Sequence, residues 1–591
     1  MLQTVLTAAL GTYGGYIRSF ERIAGDGFVA VYCHFVRVVI KFEMNSLKGK
    51  RQLSTFEPSR TNPAAILMLQ GTASDVGKSV VTTALCRIFL QDGYRPAPFK
   101  SQNMALNSYV TEDGKEIGRA QGVQAEACGI EATTDMNPIL IKPVKDMHSQ
   151  IVVHGVPYAY MSASDYRKDF LPQAKHTVMD ALNRLRDTYD IVLMEGAGSP
   201  AEINLKDRDI VNMNLAGWAD APVLLVSDID RGGVFASLVG TIELLEPHEV
   251  QRIRGFIINK FRGDLSLLQP GLDWLEERTG IPVLGVLPYL PDIRIEAEDS
   301  VVLDKKPKQS TKDKELDIAV IRYPRISNFT DTDALAAEPD VSVRYVTEAG
   351  QLGVPDAIIL PGTKDTIGDL LELRERGLEE DIREAMKTGR TQLVGICGGY
   401  QMLGTALFDP DAVESGLPQQ ADGLGWLALS TTFLKEKQTV RVQGTLSNHC
   451  PLLLSAAPDS DSAAKPIIEG YEIHMGVTEY VTEPHVSIDR TPDSTNMKTL
   501  FQIKRGEGAA FEEGWGTIDG KVWGTYLHGV FDNDRFRRSW LDGLRQAKGL
   551  AALDSTFTVR EAKEQEFDRV AEVVRAHLDM EQVYRILGMD S

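Results

Sequence analysis

The sequence predicts an α/β protein made of two doubly wound halves, each a mostly parallel sheet covered by helices. Three observations carry this. Short apolar runs alternate with helical patterns from Ala65 to about Arg545. One such run enters a glycine-rich loop ending in Gly-Lys-Ser, and another enters a turn that holds a cysteine between glycines. Between the two series, Asp304–Lys314 is charged, contains a proline, lacks apolar periodicity and reads as a linker. At 591 residues the chain exceeds one ordinary core. The expected division is an extension (1–62), a phosphate-loop half (63–303), a linker (304–315), a cysteine-turn half (316–548) and a C-terminal helical tail (549–591).

The first elements are the least informative. Met1 to about Arg60 starts apolar but is broken by Arg18, Glu21, Arg22 and Asp26, and it lacks the basic opening of a signal peptide. Met44 offers an alternative start, so roughly the first 40 residues read as an extension without function.

Recognisable structure begins with the strand Ala65–Gln70. It runs into Gly71-Thr72-Ala73-Ser74-Asp75-Val76-Gly77-Lys78-Ser79 and then a helical pattern to Gln91. Backbone N–H groups of such a loop, with the helix N-terminus behind them, cradle phosphates. Gly71, Thr72, Val76, Gly77, Lys78 and Ser79 are therefore the expected ATP contacts. Lys78 is expected at the β/γ-phosphates and the Ser79 hydroxyl on Mg²⁺. Five residues separate Gly71 from Gly77, one more than the usual spacing. The strand Asp190–Met194 ends in Glu195, at the strand end where doubly wound sheets bind ligands, so Glu195 is the expected second Mg²⁺ carboxylate. Pro222–Ser227 and Gly255–Ile258 read as two more buried strands. Lys142, Arg208, Arg231 and Arg262 lie in loops beyond expected strands and could lend local positive charge for a polyanionic substrate.

The second half opens with the strand Leu316–Ile321 and continues through Ala357–Leu360 into Pro361-Gly362. Next comes the apolar run Gln392–Ile396, then Cys397 flanked by Gly395, Gly398 and Gly399, then a helix from Tyr400. This is the cysteine form of a nucleophile elbow, where a Cβ two residues either side would clash. The turn sets Cys397 at a helix N-terminus, which favours negative charge on sulfur, and aims the Gly398 N–H where an oxyanion would form. A cysteine nucleophile needs a base, and Val522–Leu527 is an apolar strand ending at His528. His474, in the alternating stretch Gly470–Gly476, either lines a substrate pocket or is structural. Ser455–Lys465 reads as a surface loop, and Val559–Met589 as a packing tail with apolar spacing near three and four.

The totals exclude several classes. A net charge of −20 with no basic stripe argues against nucleic-acid binding. Five scattered cysteines without CxxC spacing suit free thiols in a reducing cytoplasm. No run approaches the roughly 18 apolar residues of a membrane span.

The order strand, cysteine elbow, helix, then strand and histidine resembles class I glutamine amidotransferases, a flavodoxin-like fold. That resemblance implies glutamine hydrolysis by Cys397 and His528, with Gly362 of the strand-Pro-Gly turn supplying the second oxyanion N–H. In that family a glutamate usually stands two residues after the histidine. Here the position is Val530, which leaves either a dyad or a carboxylate from elsewhere. The loop Gly71–Ser79 resembles that of dethiobiotin synthetase, whose relatives direct an Asn toward adenine, here Asn259. The same resemblance places Lys100 on phosphate or substrate carboxylate, although a plain surface lysine fits the sequence nearly as well. The succession of halves, with Met194-Glu195-Gly196-Ala197-Gly198-Ser199-Pro200-Ala201-Glu202 and His528-Gly529-Val530-Phe531, is similar to the cobyric acid synthase family.

This resemblance implies an amidoligase whose small-molecule partners are a corrinoid polycarboxylate, L-glutamine and ATP. ATP with Mg²⁺ is a co-substrate, and no tightly bound organic cofactor is implied. The reaction implied is amidation of the b, d, e and g carboxylates of adenosylcobyrinic acid a,c-diamide. The rival readings are the same chemistry on another acid, and a regulatory ATPase with an inactive glutaminase half.

Overall fold

The computed structural model describes residues 63–589, apart from 146–147, 297, 299–302, 304–312, 415–416, 449, 451, 453–465, 482–495 and 554–556. The extension 1–62, most of the linker and the 455–465 loop lie outside the described residues.

The first half is a six-stranded sheet in the order Val283–Pro288, Ile253–Phe261, Val223–Asp228, Ala65–Gly71, Ile191–Glu195, Pro96–Phe99. All pairings are parallel. The three central strands are apolar almost throughout and buried on both faces, as a parallel sheet covered by helices requires. The chain leaves Ala65–Gly71 for Pro96–Phe99 on one side and later returns to fill Val223–Asp228 on the other. The ends of these strands therefore open on a crevice beside Gly71.

After Lys100 the chain departs from this plan. A four-stranded sheet (Gln102–Met104, Ile139–Lys145, His148–Val153, Val156–Ser162) and a small ladder of Ser108–Val110 on Glu116–Gly118 grow from the same strand ends. The helix Arg119–Ala127 follows the ladder directly.

In the second half the parallel strands run Val341–Val346, Leu316–Ile321, Ala357–Leu360, Gln392–Ile396, Val522–Thr525. In chain order this is 2-1-3-4-5, the flavodoxin-like winding. The sheet continues antiparallel through Phe511–Thr517, Met497–Arg505 and the long Leu429–Leu446, reaching eleven strands in all. Its core joins both sheet faces with Trp523, Phe531, Phe536 and Trp540, which pack ring against ring.

The tail consists of two helices, Val559–His577 and Met580–Ile586. Although it follows the second half in sequence, it packs on the phosphate-loop helix Lys78–Gln91 of the first. Phe567, Val570, Ala571 and Val574 share one core with Leu67, Leu69, Ile88 and Phe89. Arg87 pairs with Asp568 at 2.7 Å, Arg575 pairs with Asp92 at 2.9 Å, and the Tyr584 ring meets Phe89 edge-on. The tail thus buttresses the helix that presents Lys78 and Ser79. Truncating Phe567 to Ala removes a fully packed ring there. It should destabilise the protein by about 3–5 kcal/mol, read as a lowered urea midpoint that ATP partly restores.

Candidate active site

Four consecutive parallel strands of the second half deliver their C-terminal ends to one place. Cys397 follows Gln392–Ile396 at φ 51°, ψ −108°, the strained turn expected of an elbow. The flanking glycines are required by contact. A Cβ on Gly399 would stand 1.9 Å from the Leu360 carbonyl oxygen, and one on Gly395 would stand 2.7 Å from the Tyr400 nitrogen. The Gly399 N–H donates to the Pro361 carbonyl at 3.1 Å, docking the elbow on the Pro361-Gly362 turn. Gly398 faces that turn, since its Cβ would meet the Thr363 nitrogen at 3.1 Å. Gly362 faces the histidine, since its Cβ would meet His528 Cε1 at 3.2 Å. The structure therefore brings Cys397, Gly398, Gly362 and His528 together.

The residue that sequence reading missed is Asp331. His528 is fully buried, and its Nδ1 lies 2.7 Å from Asp331 Oδ2, while the Gly529 N–H donates to Asp331 Oδ1 at 2.8 Å. Val530, at the usual glutamate position, is buried in the core. The carboxylate comes instead from the turn Phe329–Thr332 beyond the first strand. A signal was present: Asn328-Phe329-Thr330-Asp331-Thr332-Asp333 is a polar run just past a strand end, where ligand-binding side chains collect. Tyr471 stacks on the imidazole with centroids 5.1 Å apart, while Cys397 Sγ donates to the Ile473 carbonyl at 3.7 Å. Burial alone would lower the pKa of His528. The Asp331 carboxylate and the Cys397 sulfur overcome this and push it up to about 10. The pair is thus set to hold a proton on the ring opposite sulfur.

His474 adjoins this site, next in sequence to Ile473, whose carbonyl accepts from Cys397 Sγ, and near enough to His528 to feel its charge. It stacks on Tyr526 at 3.7 Å, donates from Nδ1 to the Gly476 carbonyl at 2.8 Å, and lines a cavity of about 400 Å³ with Glu472, Arg505 and Glu513. Burial lowers its pKa to about 4, so the ring is neutral.

In the first half the loop closes around Lys78, whose Nζ donates to the carbonyls of Ala73 (3.0 Å) and Gly198 (3.1 Å). Glu195 is buried and fully used. Ser79 Oγ donates to its Oε1 at 2.9 Å, Lys100 Nζ reaches the same oxygen at 3.1 Å, and Gln124 Nε2 reaches Oε2 at 2.7 Å. Burial would raise the Glu195 pKa, but Lys100 and these donors hold it below the usual range. Lys100 is no surface lysine: it is buried and also bridges to Glu298 at 2.9 Å. Ser79 and Glu195 place two hard oxygen donors side by side at the phosphate loop, a set that suits Mg²⁺.

Gly71 and Gly77 are needed by contact. A Cβ would come 2.6 Å from Val76 Cγ2 in the first and 2.1 Å from Asn259 Nδ2 in the second, where φ is +101°. Asn259 in turn donates to the Val76 carbonyl at 2.9 Å, and Thr72 Oγ1 lies 2.9 Å from Ser227 Oγ. Of the four cations in expected strand-end loops, Lys142 is buried against Glu116, Arg208 donates to the Arg167 carbonyl, Arg231 lies between Asp75 and Asp228, and Arg262 pairs with Asp230 while stacking on Tyr289.

The two halves meet through the ladder that follows Lys100. Asn328 Oδ1 accepts from the Ser108 N–H at 2.9 Å, the Phe329 N–H donates to Asn107 Oδ1 at 3.2 Å, and Arg441 Nε donates to the Val110 carbonyl at 2.9 Å. Lys437 of the second half joins Lys142 on Glu116 of the first.

Two family models match the chain. Residues 67–302 match the CobQ/CobB/MinD/ParA nucleotide binding domain, and residues 317–536 match the CobB/CobQ-like glutamine amidotransferase domain. A cobyric acid synthase of Desulforamulus reducens is 52% identical over 89% of this chain and 98% of that protein. Those of a Geobacillus strain and of Dehalococcoides mccartyi are each 50% identical, over 88% and 89% of this chain and 96% and 99% of theirs. Among solved structures, PurLQS from Thermotoga maritima aligns with 39% of the chain at 18% identity and a TM-score of 0.25, too distant to bear on the argument. Among the described residues no helix is long and apolar enough to cross a membrane.

Proposed function

The chain belongs to the cobyric acid synthase family, and from that premise we propose that its two sites work in series to amidate corrinoid carboxylates. The reaction is the ATP- and glutamine-dependent conversion of the b, d, e and g carboxylates of adenosylcobyrinic acid a,c-diamide to amides. Ammonia does not condense with a carboxylate in water, because oxide is no leaving group. A phosphorylated carboxylate is displaced by ammonia readily, so a glutaminase and an ATP site in one molecule have a combined use that neither has alone.

At the glutaminase site, Cys397 sulfur attacks the glutamine side-chain carbonyl. The Gly398 and Gly362 N–H groups hold the resulting oxyanion. His528, steered by Asp331 at Nδ1, gives its proton to the departing ammonia and then draws one from the water that cleaves the thioester. In the other half, Lys78 and the loop N–H groups orient the ATP phosphates, Asn259 stands at the base side of the loop, and Lys100 presents positive charge beside Glu195. Magnesium on Ser79 and Glu195 would neutralise charge on the phosphate oxygens.

The observation that carries the reading is the buried Cys397, His528 and Asp331 constellation in one chain with Lys78, Ser79 and Glu195. With the corrinoid diamide present, ADP and glutamate should be released in equal amounts, and Lys78→Ala should remove ADP and amide together. Glutamate released steadily without any amide formed would overturn the assignment.

A further inference from the structure

The strand Ile467–Tyr480 touches both residues of the glutaminase pair, through the Tyr471 ring on His528 and the Ile473 carbonyl on Cys397. Successive side chains of a strand point to opposite faces, so Glu472 and His474 turn away from Tyr471. They line the cavity of about 400 Å³ that the proposed reaction leaves unused. Its other walls are largely aromatic, with Phe511, Trp515 and Tyr526. The neighbouring strand Leu429–Leu446 makes room for it. Between Phe433 and Gln438 that strand slips out of register, and the excursion brings Leu434 and Glu436 to the cavity wall.

Two buried acceptors in this cavity have no partner. Glu472 is fully buried, and Arg505 Nε takes its Oε2 at 2.6 Å, while Oε1 bonds nothing among the described residues. His474 is neutral and keeps its proton on Nδ1, which donates to the Gly476 carbonyl. Nε2 is then a bare lone pair, buried and equally without a partner. An acceptor left unmet in the interior is costly, and two on one face of a strand call for a donor with more than one hydrogen to give.

Charge selects among such donors. The carboxylates of Glu472, Glu436 and Glu512 face the single guanidinium of Arg505 among the described lining residues. Glu513 adds no charge, because burial and the neighbouring Glu472 push its pKa up to about 8. A cation is therefore favoured over a neutral donor. Among the described residues no three His, Cys, Asp or Glu side chains are grouped to hold a metal ion, and aromatic walls offer a metal no ligands. A primary ammonium brings three N–H donors, a positive charge that aromatic faces attract, and a chain that apolar walls can cover.

We propose that this cavity binds a primary aliphatic amine in its ammonium form, its N–H groups donating to Glu472 Oε1 and His474 Nε2. The chain lies against Phe511, Trp515 and Tyr526, and the exposed Glu436 and Glu512 draw the cation in. Because Ile473 stands between the two acceptors, an amine seated here also steadies the carbonyl that takes the Cys397 thiol. Binding needs neither glutamine nor ATP, so failure of this site and failure of the glutaminase reading are told apart.

The test is calorimetric titration of the full chain with n-butylammonium chloride at neutral pH and constant ionic strength, with ammonium and tetramethylammonium chlorides in parallel. Butylammonium should bind as a single molecule per chain. Ammonium lacks the chain and tetramethylammonium lacks the N–H donors, so each should bind about tenfold or more weakly. Glu472→Gln should weaken butylammonium by about tenfold or more, the size of a lost charge-assisted hydrogen bond. His474→Phe keeps a ring to stack on Tyr526 and loses only the acceptor, so it should weaken binding by about two- to tenfold. Urea midpoints show whether both variants fold, and should Glu472→Gln fail to, His474→Phe carries the comparison. No uptake of butylammonium by wild type, equal affinity for tetramethylammonium, or folded variants that bind as wild type does would each overturn the site and leave water as the partner of both acceptors.

Discussion

Replacing Cys397 by Ala should lower glutamine-dependent amide formation by a factor on the order of 10⁴ or more, the scale on which enzymes lose turnover when a nucleophile is removed. The same variant should make amide from ammonium salts and ATP at close to the wild-type rate. The two halves of that result come from one physical fact. In the proposed reaction the sulfur's only task is to release nitrogen, while activation of the acceptor carboxylate is assigned to the other half, where Ser79 bonds Glu195 beside Lys78. Ammonia from solution bypasses the first task and leaves the second untouched. Ammonia-dependent activity should therefore rise with pH, as the neutral form grows, up to the limit set by the ATP half. Folding should be spared, because Ala at φ 51° carries the same backbone strain as Cys and loses only one buried sulfur. The measurement is amide product with each nitrogen source in parallel. Loss of both activities at retained stability would mean that Cys397 serves the ATP site as well.

The parts of this molecule legible in the sequence are those where one local stretch carries its own constraint. Gly71–Ser79 and Gly395–Gly399 are local in this sense. Gly71 answers to Val76 and Gly395 to Tyr400, contacts within a few residues, and although Gly77 and Gly399 answer to the distant Asn259 and Leu360, the local pattern was enough to find both turns and the strands before them. Glu195 was legible because a carboxylate at the end of an apolar strand has a defined place in a doubly wound sheet. Lys100 was ambiguous, because its burial depends on Glu195 and Glu298, 95 and 198 residues away. Asp331 was invisible for the same reason. It acts on a histidine 197 residues downstream, and the expected place for that carboxylate holds Val530. The insertion after Lys100 left almost no periodic signal at its start, since all three strands between Gln102 and Gly118 have three residues and side chains of mixed polarity. The tail's apolar spacing reads as helical packing, but its partner, the phosphate-loop helix, could be found only by folding the chain.

Asp331→Asn should cost about 10²–10⁴-fold in glutaminase kcat with little change in KM for glutamine, the range seen when a histidine's orienting acid is neutralised elsewhere. The amide keeps the shape and can still accept the Gly529 N–H. At Nδ1 of His528, however, it offers either a donor where an acceptor is needed or a neutral oxygen in place of a carboxylate. Burial then acts on the imidazole unopposed from that side, so the pKa that stands at about 10 should fall. The sign can be followed in stability as well as in rate. A folded-state pKa above the unfolded value near 6.5 means that the native protein holds a proton the unfolded chain has lost. Stability from His528 is thus fully present below about pH 6.5 and declines as pH rises through 10. Urea midpoints of the wild type should therefore drop between pH 7 and 10 through this group, and Asp331→Asn should flatten that slope while starting from a lower midpoint at pH 7. The alkaline limb of kcat/KM should shift down in the same variant. A slope and a limb that both stay where wild type has them would show that Asp331 holds the ring in place without governing its proton.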